Sequence, residues 1–154
     1  MKPKLVAIAD KYLVGNKSRM LHGQYANIVS LWKKFRPRSK EILNNLNSEY
    51  IAIQVYEDFN STEKAFDIWA CVEVSDFENI PKDMLKLTIL KGLYAVFNHK
   101  GINAAATYQS IITEWLPTSG YKIDNRPHFQ VMGERYINGS PDSEEDFYVP
   151  ICSK

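Results

Sequence analysis

The chain carries one arrangement of residues twice, and an internal duplication restricts it to folds built from two similar halves. Tyr12-Leu13-Val14-Gly15-Asn16 is echoed by Tyr94-Ala95-Val96-Phe97-Asn98, and Phe35-Arg36-Pro37 by Trp115-Leu116-Pro117. Ile53-Gln54-Val55-Tyr56 is echoed by Phe129-Gln130-Val131-Met132, and Asp67-Ile68-Trp69 by Asp146-Phe147-Tyr148. Partners stand 76 to 82 residues apart and keep the same order. Two repeats, about 1–76 and 85–154, are therefore expected within one domain spanning 1–154, a length sufficient for a substantial core. The joining segment from Phe77 to Lys86 contains Pro81 and is too short to separate domains. A ligand cleft is expected where the halves meet.

Periodicity gives each half the same order of elements. Residues 4–17 read as a strand. Ile28, Leu31, Trp32 and Phe35 recur at helical spacing. Pro37 breaks that helix, and Ser39 could cap a continuation through Ile42, Leu43 and Leu46. Tyr50–Tyr56 and Phe66–Val74 read as strands. In the second half Leu85–Asn98 reads as one long strand with a bulge or turn at Gly92. Tyr108, Ile111, Ile112, Trp115 and Leu116 form a second helical stripe that Pro117 and Gly120 end. Phe129–Tyr136 and Phe147–Ile151 close the sheet. Strand-helix-strand-strand, twice, predicts an α+β fold: a mainly antiparallel sheet with two helices on one face.

Alternation along Phe66–Val74 sends Ile68, Ala70, Val72 and Val74 to one face, under the helices, and Trp69, Cys71 and Glu73 to the other. The repeat puts Tyr148 in the place of Trp69, and matches Gln54 and Tyr56 with Gln130 and Met132. The helix-free face is therefore expected to hold aromatic, sulfur and amide groups with one carboxylate, a composition suited to a flat or amphipathic ligand.

Formal net charge is +1, so no bulk field favours nucleic acid or an anionic membrane. The basic run Lys33-Lys34-Arg36-Arg38-Lys40 reads as a solvated helix end. Cys71 and Cys152 lack metal-ligand spacing, and His22, His99 and His128 form no His-x-x-x-His group, so neither a metal nor a cofactor is expected. No phosphate loop, Gly-x-Ser-x-Gly or Gly-x-Gly-x-x-Gly pattern is present. No signal peptide or membrane span is visible, and a cytoplasmic location is the expectation.

Five motifs then occur in a family order. They are Lys91-Gly92-Leu93-Tyr94-Ala95-Val96-Phe97, His99-Lys100-Gly101, Trp115-Leu116-Pro117-Thr118-Ser119-Gly120-Tyr121, Pro127-His128-Phe129-Gln130 and Phe147-Tyr148-Val149-Pro150-Ile151. With them the chain resembles the GyrI-like small-molecule-binding superfamily, the effector-binding domain of AraC-type regulators. Leu31-Trp32 and Val72-Glu73-Val74-Ser75-Asp76 are similar to its integron-associated effector-binding branch. The resemblance implies an aromatic-lined cleft between the halves for hydrophobic, often cationic, organic compounds. It also implies a buried glutamate balancing the cation, but the family's glutamate and tyrosine positions hold Gln130 and Met132 here. Glu73 or Glu134 is the candidate replacement, and otherwise the ligand is neutral.

The candidate ligand-binding set is therefore Tyr56, Trp69, Glu73, Gln130, Met132, Glu134 and Tyr148, with no catalytic residue assigned. The first reading is a stand-alone binding module that senses or sequesters a hydrophobic, cationic or aromatic small molecule in transcription regulation. Most regulators of this family carry a DNA-binding domain, for which this chain has no room, so direct DNA binding is not expected. The second reading is a hydrolase of electrophilic compounds using Glu73 or Glu134 as general base. The third is an interaction protein whose partner is a regulator or DNA gyrase.

Overall fold

The computed structural model describes residues 2–154. Their nine strands are β1 (Lys4–Ile8), β2 (Lys11–Met20), β3 (Tyr50–Val55), β4 (Phe66–Val74), β5 (Leu85–Ile89), β6 (Gly92–Lys100), β7 (Tyr121–Ile123), β8 (His128–Met132) and β9 (Glu144–Ser153). All pairings are antiparallel, in the order β1-β6-β9-β8-β3-β4-β2-β5, with β7 added beside β9. The order reads the same from either end when β1 is exchanged with β5, β2 with β6, β3 with β8 and β4 with β9. This is the expected duplication, with its pseudo-twofold axis between β3 and β8.

The first strand of each half differs from expectation. Residues 4–17 do not form one strand: the chain breaks at Ala9-Asp10, and Leu85–Asn98 breaks at Leu90-Lys91. Each outer piece crosses over, β1 pairing with β6 of the other half and β5 with β2. Asp10 Oδ1 accepts the Lys91 backbone N–H at 2.7 Å, tying the two breaks together. Two-residue connectors thus join strands at opposite ends of the sheet order. In a flat sheet those strands would lie about 29 Å apart, beyond the reach of such a connector. The sheet is therefore rolled until its ends approach.

Rolling explains where the cores lie. The inner, helix-free face is closed by Leu13, Ile53, Trp69, Cys71, Ile89, Tyr94 and Phe129, each nearly or fully buried. The helix face carries two separate cores. Leu31 and Phe35 of helix α1 (Tyr25–Phe35) pack on Phe66, Ile68, Ala70 and Val72. Ile111 of the second helical segment packs on Phe97, Phe147, Val149 and Ile151. That segment comprises α2 (Ala104–Ser110), a wider turn over Ile111–Trp115 in which Leu116 N–H bonds to Ile111 O, and α3 (Leu116–Ser119). Asn103 caps α2 by accepting the Ala106 N–H at 3.1 Å, and Gly120 ends α3 at φ 82°, a left-handed conformation natural to glycine. The expected continuation of α1 is replaced by a 3-10 segment, Arg36–Glu41, after which Ile42 is buried but Leu43 and Leu46 are exposed. Pro37 cannot donate to the helical ladder, and no apolar face beyond Ile42 repays prolonging it. No helix among the described residues is long and apolar enough to cross a membrane.

Candidate functional site

Between α1 and α2, on the outer face of the sheet, lies a cavity of about 580 Å³. Its floor is β3 and β8, the two strands that meet on the pseudo-twofold axis. Cross-strand partners share a face, so register decides what the floor displays. Gln54 lies opposite Ile68 and His128, and Gln130 opposite Ala52 and Phe147. Because Ile68 points toward the helices, so do both glutamines. Each Nε2 donates to the other's Oε1 at 2.8 Å, a reciprocal amide pair across the axis. Each amide thus donates one hydrogen bond and accepts one, without introducing charge.

One end of the cavity is aromatic. Tyr56 packs on Phe66 with ring centroids 4.7 Å apart, and His22 lies over Phe66 at 4.8 Å. Phe59, from the loop after β3, stacks on His128 at 4.8 Å and 12°. His128 is buried, and burial, with the nearby Arg126 charge, lowers its pKa to about 3. It is therefore neutral and shares a 2.7 Å hydrogen bond between Nδ1 and the Tyr108 hydroxyl. Burial raises the Tyr108 hydroxyl far above its usual range and takes Tyr56 to about 12, so both phenols stay neutral hydrogen-bonding groups.

The other end holds Glu145 of β9. Its side chain lies on the same face as Phe147, two residues on, and borders the cavity. Among the described residues its carboxylate has no ion pair and no hydrogen bond, and no Lys, Arg, Asp or second Glu side chain lines the cavity. Burial alone raises its pKa to about 7. A carboxylate among aromatic and aliphatic walls, lacking a protein countercharge, is stabilised by a cation entering the cavity.

The sequence candidates are distributed as follows. Tyr56 and Gln130 border the cavity directly. Trp69 touches it, but its side chain belongs to the inner core. Tyr148 also joins that core, its ring stacked on Phe129 at 4.4 Å. Trp69 and Tyr148 thus share one cluster, but on the closed inner face, not in an open cleft on the helix-free side. Glu73 lies 3.4 Å from Lys11 Nζ at the far end of β4, and Glu134 is exposed in a turn. Met132, at the end of β8 opposite Tyr50, does not border the cavity. Among the described residues no group of three His, Cys, Asp or Glu side chains is placed to hold a metal ion.

Sequence reasoning missed Glu145, Phe59 and the Tyr108–His128 pair. Glu145 stands in Glu144-Glu145-Asp146, which reads as a solvated loop before the strand at Phe147. Extending the Phe147 alternation two residues back would have found it.

Comparison with known proteins agrees with this architecture. BrlR, a transcriptional regulator of Pseudomonas aeruginosa, is 28% identical over 127 residues, which is 80% of this chain and 46% of the relative. The chain thus spans about half the length of that curated relative. Among solved structures, SAV2435 bound to tetraphenylphosphonium superposes with a TM-score of 0.73 at 17% identity, covering 99% of this chain and 94% of that one. The integron cassette protein VCH_CASS2, from the mobile metagenome of Vibrio cholerae, gives 0.70 at 13% identity, covering 98% and 96%. At these identities the two structures show a common fold. Residues 7–151 match the sequence model of the integron-associated effector binding proteins, and the chain, with the GyrI-like fold described above, belongs to that family, Cass2.

Proposed function

We propose that this protein is a small-molecule-binding module that takes hydrophobic aromatic cations into the cavity between α1 and α2, and so senses or sequesters them in regulation. The observation that carries this reading is Glu145, the one carboxylate at a largely aromatic wall that has no Lys or Arg, with no protein partner among the described residues. A unit charge about 4 Å away gains roughly 4 kcal/mol at the effective dielectric of a partly buried site. Aromatic faces add cation–π attraction of about 0.5–2 kcal/mol each. The ligand recorded for SAV2435, a bulky aromatic cation, has this chemistry, and BrlR's description as a transcriptional regulator agrees with a sensing role.

The test is calorimetric titration with tetraphenylphosphonium and with neutral triphenylphosphine oxide. Micromolar binding of the cation, roughly −8 kcal/mol, is expected. Glu145→Gln should weaken the cation about tenfold and leave the neutral compound unchanged, since a hydrogen bond or contact to a charged group is worth about 1.5–3 kcal/mol. Equal affinities of wild type and variant for both compounds would refute the assignment.

Catalysis is the second reading, favoured by a specific observation. A carboxyl group titrating near neutrality inside a cavity is placed for general-base work. Neither Glu73 nor Glu134 borders the cavity, so Glu145 would be the base. Product formation from an electrophilic compound, followed by mass spectrometry and lost in Glu145→Gln, would establish it.

A further inference from the structure

The pairing registers show which residues of the two halves are equivalent at the ends of the sheet. Trp69 and Tyr148 stand 79 residues apart, and the same offset sets Cys71 against Pro150. Cys71 faces Gly15 and Pro150 faces Tyr94, so Gly15 and Tyr94 are equivalent in space, three residues from the echo of Tyr12 in Tyr94. Gly15 in turn faces Leu85 of β5, and Tyr94 faces Val6 of β1. One residue earlier in each half, Met84 is therefore the counterpart of Leu5. Both lie on the helix face: Met84 belongs to the core that α1 packs on, and Leu5 pairs with Ala95 of the second-half core.

The surroundings of these two counterparts differ. In the first half the segment joining the repeats closes over the core: Phe77 and Ile80 pack on it, and Phe35, Ile42 and Met84 are 0%, 4% and 6% exposed. This segment is acidic and apolar, beginning Asp76-Phe77-Glu78-Asn79-Ile80. Arg38 Nη2 holds it by donating to Lys82 O at 2.7 Å, and Asn44 Nδ2 by donating to Asp76 O at 3.0 Å. In the second half no described segment covers the corresponding place. Leu5 is 49% exposed, and Trp115, the match of Phe35, is half-buried. A groove of about 300 Å³ remains between them, lined also by Lys2, Pro3, Ser119 and Tyr121. It shares no lining residue with the cavity between α1 and α2.

We propose that this groove docks an extended, acidic and apolar peptide segment of a partner protein, in the place that residues 77–84 take in the first half. Leu5, Trp115 and Tyr121 offer an apolar wall to an aromatic or branched side chain. β1 ends the strand order, so its outer backbone groups have no strand partner among the described residues and can pair with an extended chain. Lys2 lines the groove, and Lys154 Nζ lies 3.4 Å from Pro117 O, two residues before Ser119. Both lysines are exposed, and neither forms an ion pair among the described residues. Glu114, next to Trp115 in the chain, does not line the groove. The two cations complement the carboxylates that flank Phe77 and Ile80 in the first-half segment.

The probe is a fluorescein-labelled, end-capped peptide copying residues 76–84, titrated with the full chain and followed by fluorescence anisotropy. A Kd on the order of tens of micromolar is expected. Leu5→Asp should weaken binding about tenfold, because it sets a carboxylate in the apolar wall. Lys2→Ala combined with Lys154→Ala should weaken it about threefold, the scale of exposed charge pairs. A peptide carrying Phe77→Ala and Ile80→Ala should not bind, and saturating tetraphenylphosphonium should leave the affinity of the original peptide unchanged. All three substituted positions of the protein are exposed, and melting temperatures verify that the variants fold. Absence of binding to the wild type, or equal binding to Leu5→Asp, would overturn the inference. Undiminished binding of the Phe77→Ala, Ile80→Ala peptide would overturn it by showing attraction through charge alone. Displacement by tetraphenylphosphonium would overturn it by placing the peptide in the cavity. Sedimentation showing a dimer that Leu5→Asp dissociates would overturn it by making a second copy of the chain the occupant.

Discussion

At the scale of single residues, Glu145 sets the charge chemistry of the cavity, and its behaviour with pH is predictable in sign. Burial raises its pKa to about 7. A bound cation stabilises the ionised form, so cation affinity should fall as pH is lowered through about 7, by roughly fivefold between pH 8 and pH 6. Neutral ligands should lack this slope and Glu145→Gln should lose most of it, which calorimetry at several pH values can check. His99 lies opposite Glu145 on β6, but both its ring nitrogens are engaged, with the Thr107 hydroxyl at 2.7 Å and Gly101 O at 3.0 Å. Without ligand, Glu145 is protonated in folded and unfolded chains alike below the ordinary carboxyl range. As pH rises toward about 7, the unfolded chain releases this proton first, and folding stability falls. Thermal melts should show that decline flattened in Glu145→Gln. Gln130→Glu places a second carboxylate on the adjacent strand, where it loses the bond donated to Gln54 and faces that amide's oxygen. Cation preference over a neutral analogue should rise by about 1 kcal/mol at pH 8, with a similar loss of stability, measured by paired calorimetry and melting.

At the scale of elements, close contact between β2 and β4 leaves no room for change at Gly15. A Cβ there would collide with the Ala70 carbonyl oxygen and the Cys71 side chain, and both residues are fully buried. Gly15→Ala should cost about 3 kcal/mol or more, visible as a large drop in denaturation midpoint. The Asp10 carboxylate is a contrasting case. It accepts one backbone N–H at 2.7 Å between the two strand breaks, at an exposed position remote from the cavity. Asp10→Ala should cost about 1 kcal/mol of stability and leave ligand affinity unchanged. The helical stripes were legible because a 3.6-residue repeat is a local property. Ile28, Leu31, Trp32 and Phe35 fall in α1, and Tyr108 to Leu116 in α2 and its continuation. The breaks at Ala9-Asp10 and Leu90-Lys91 were less legible, since both flanking segments are extended and only their pairing partners differ.

At the scale of the whole molecule, exchange of β1 and β5 between the halves makes them one cooperative unit. Neither half keeps its full sheet without the other, because β1 has its partner only in β6 and β5 only in β2. Urea unfolding should therefore be a single transition. Fluorescence of Trp32 in the first half and of Trp115 in the second, each isolated by replacing the other tryptophans, should give coincident midpoints. Two separated transitions would show that the halves fold independently.

The duplication, the strand and helix types, and the alternation along β4 that separates Ile68, Ala70 and Val72 from Trp69 and Cys71 are legible in the order of residues alone. These are periodicities, readable within a few residues. Which face of the sheet is open to a ligand was decided by tertiary structure. Rolling of the sheet, forced by two-residue connectors between strands at its opposite ends, closes the helix-free face into a core around Trp69, Phe129 and Tyr148. The cavity is left on the other face, where two helices stand apart over β3 and β8. Tertiary structure also turned Glu145 from one residue of an acidic run into an unpaired carboxylate beside aromatic walls, because its neighbours there come from elements distant in the chain.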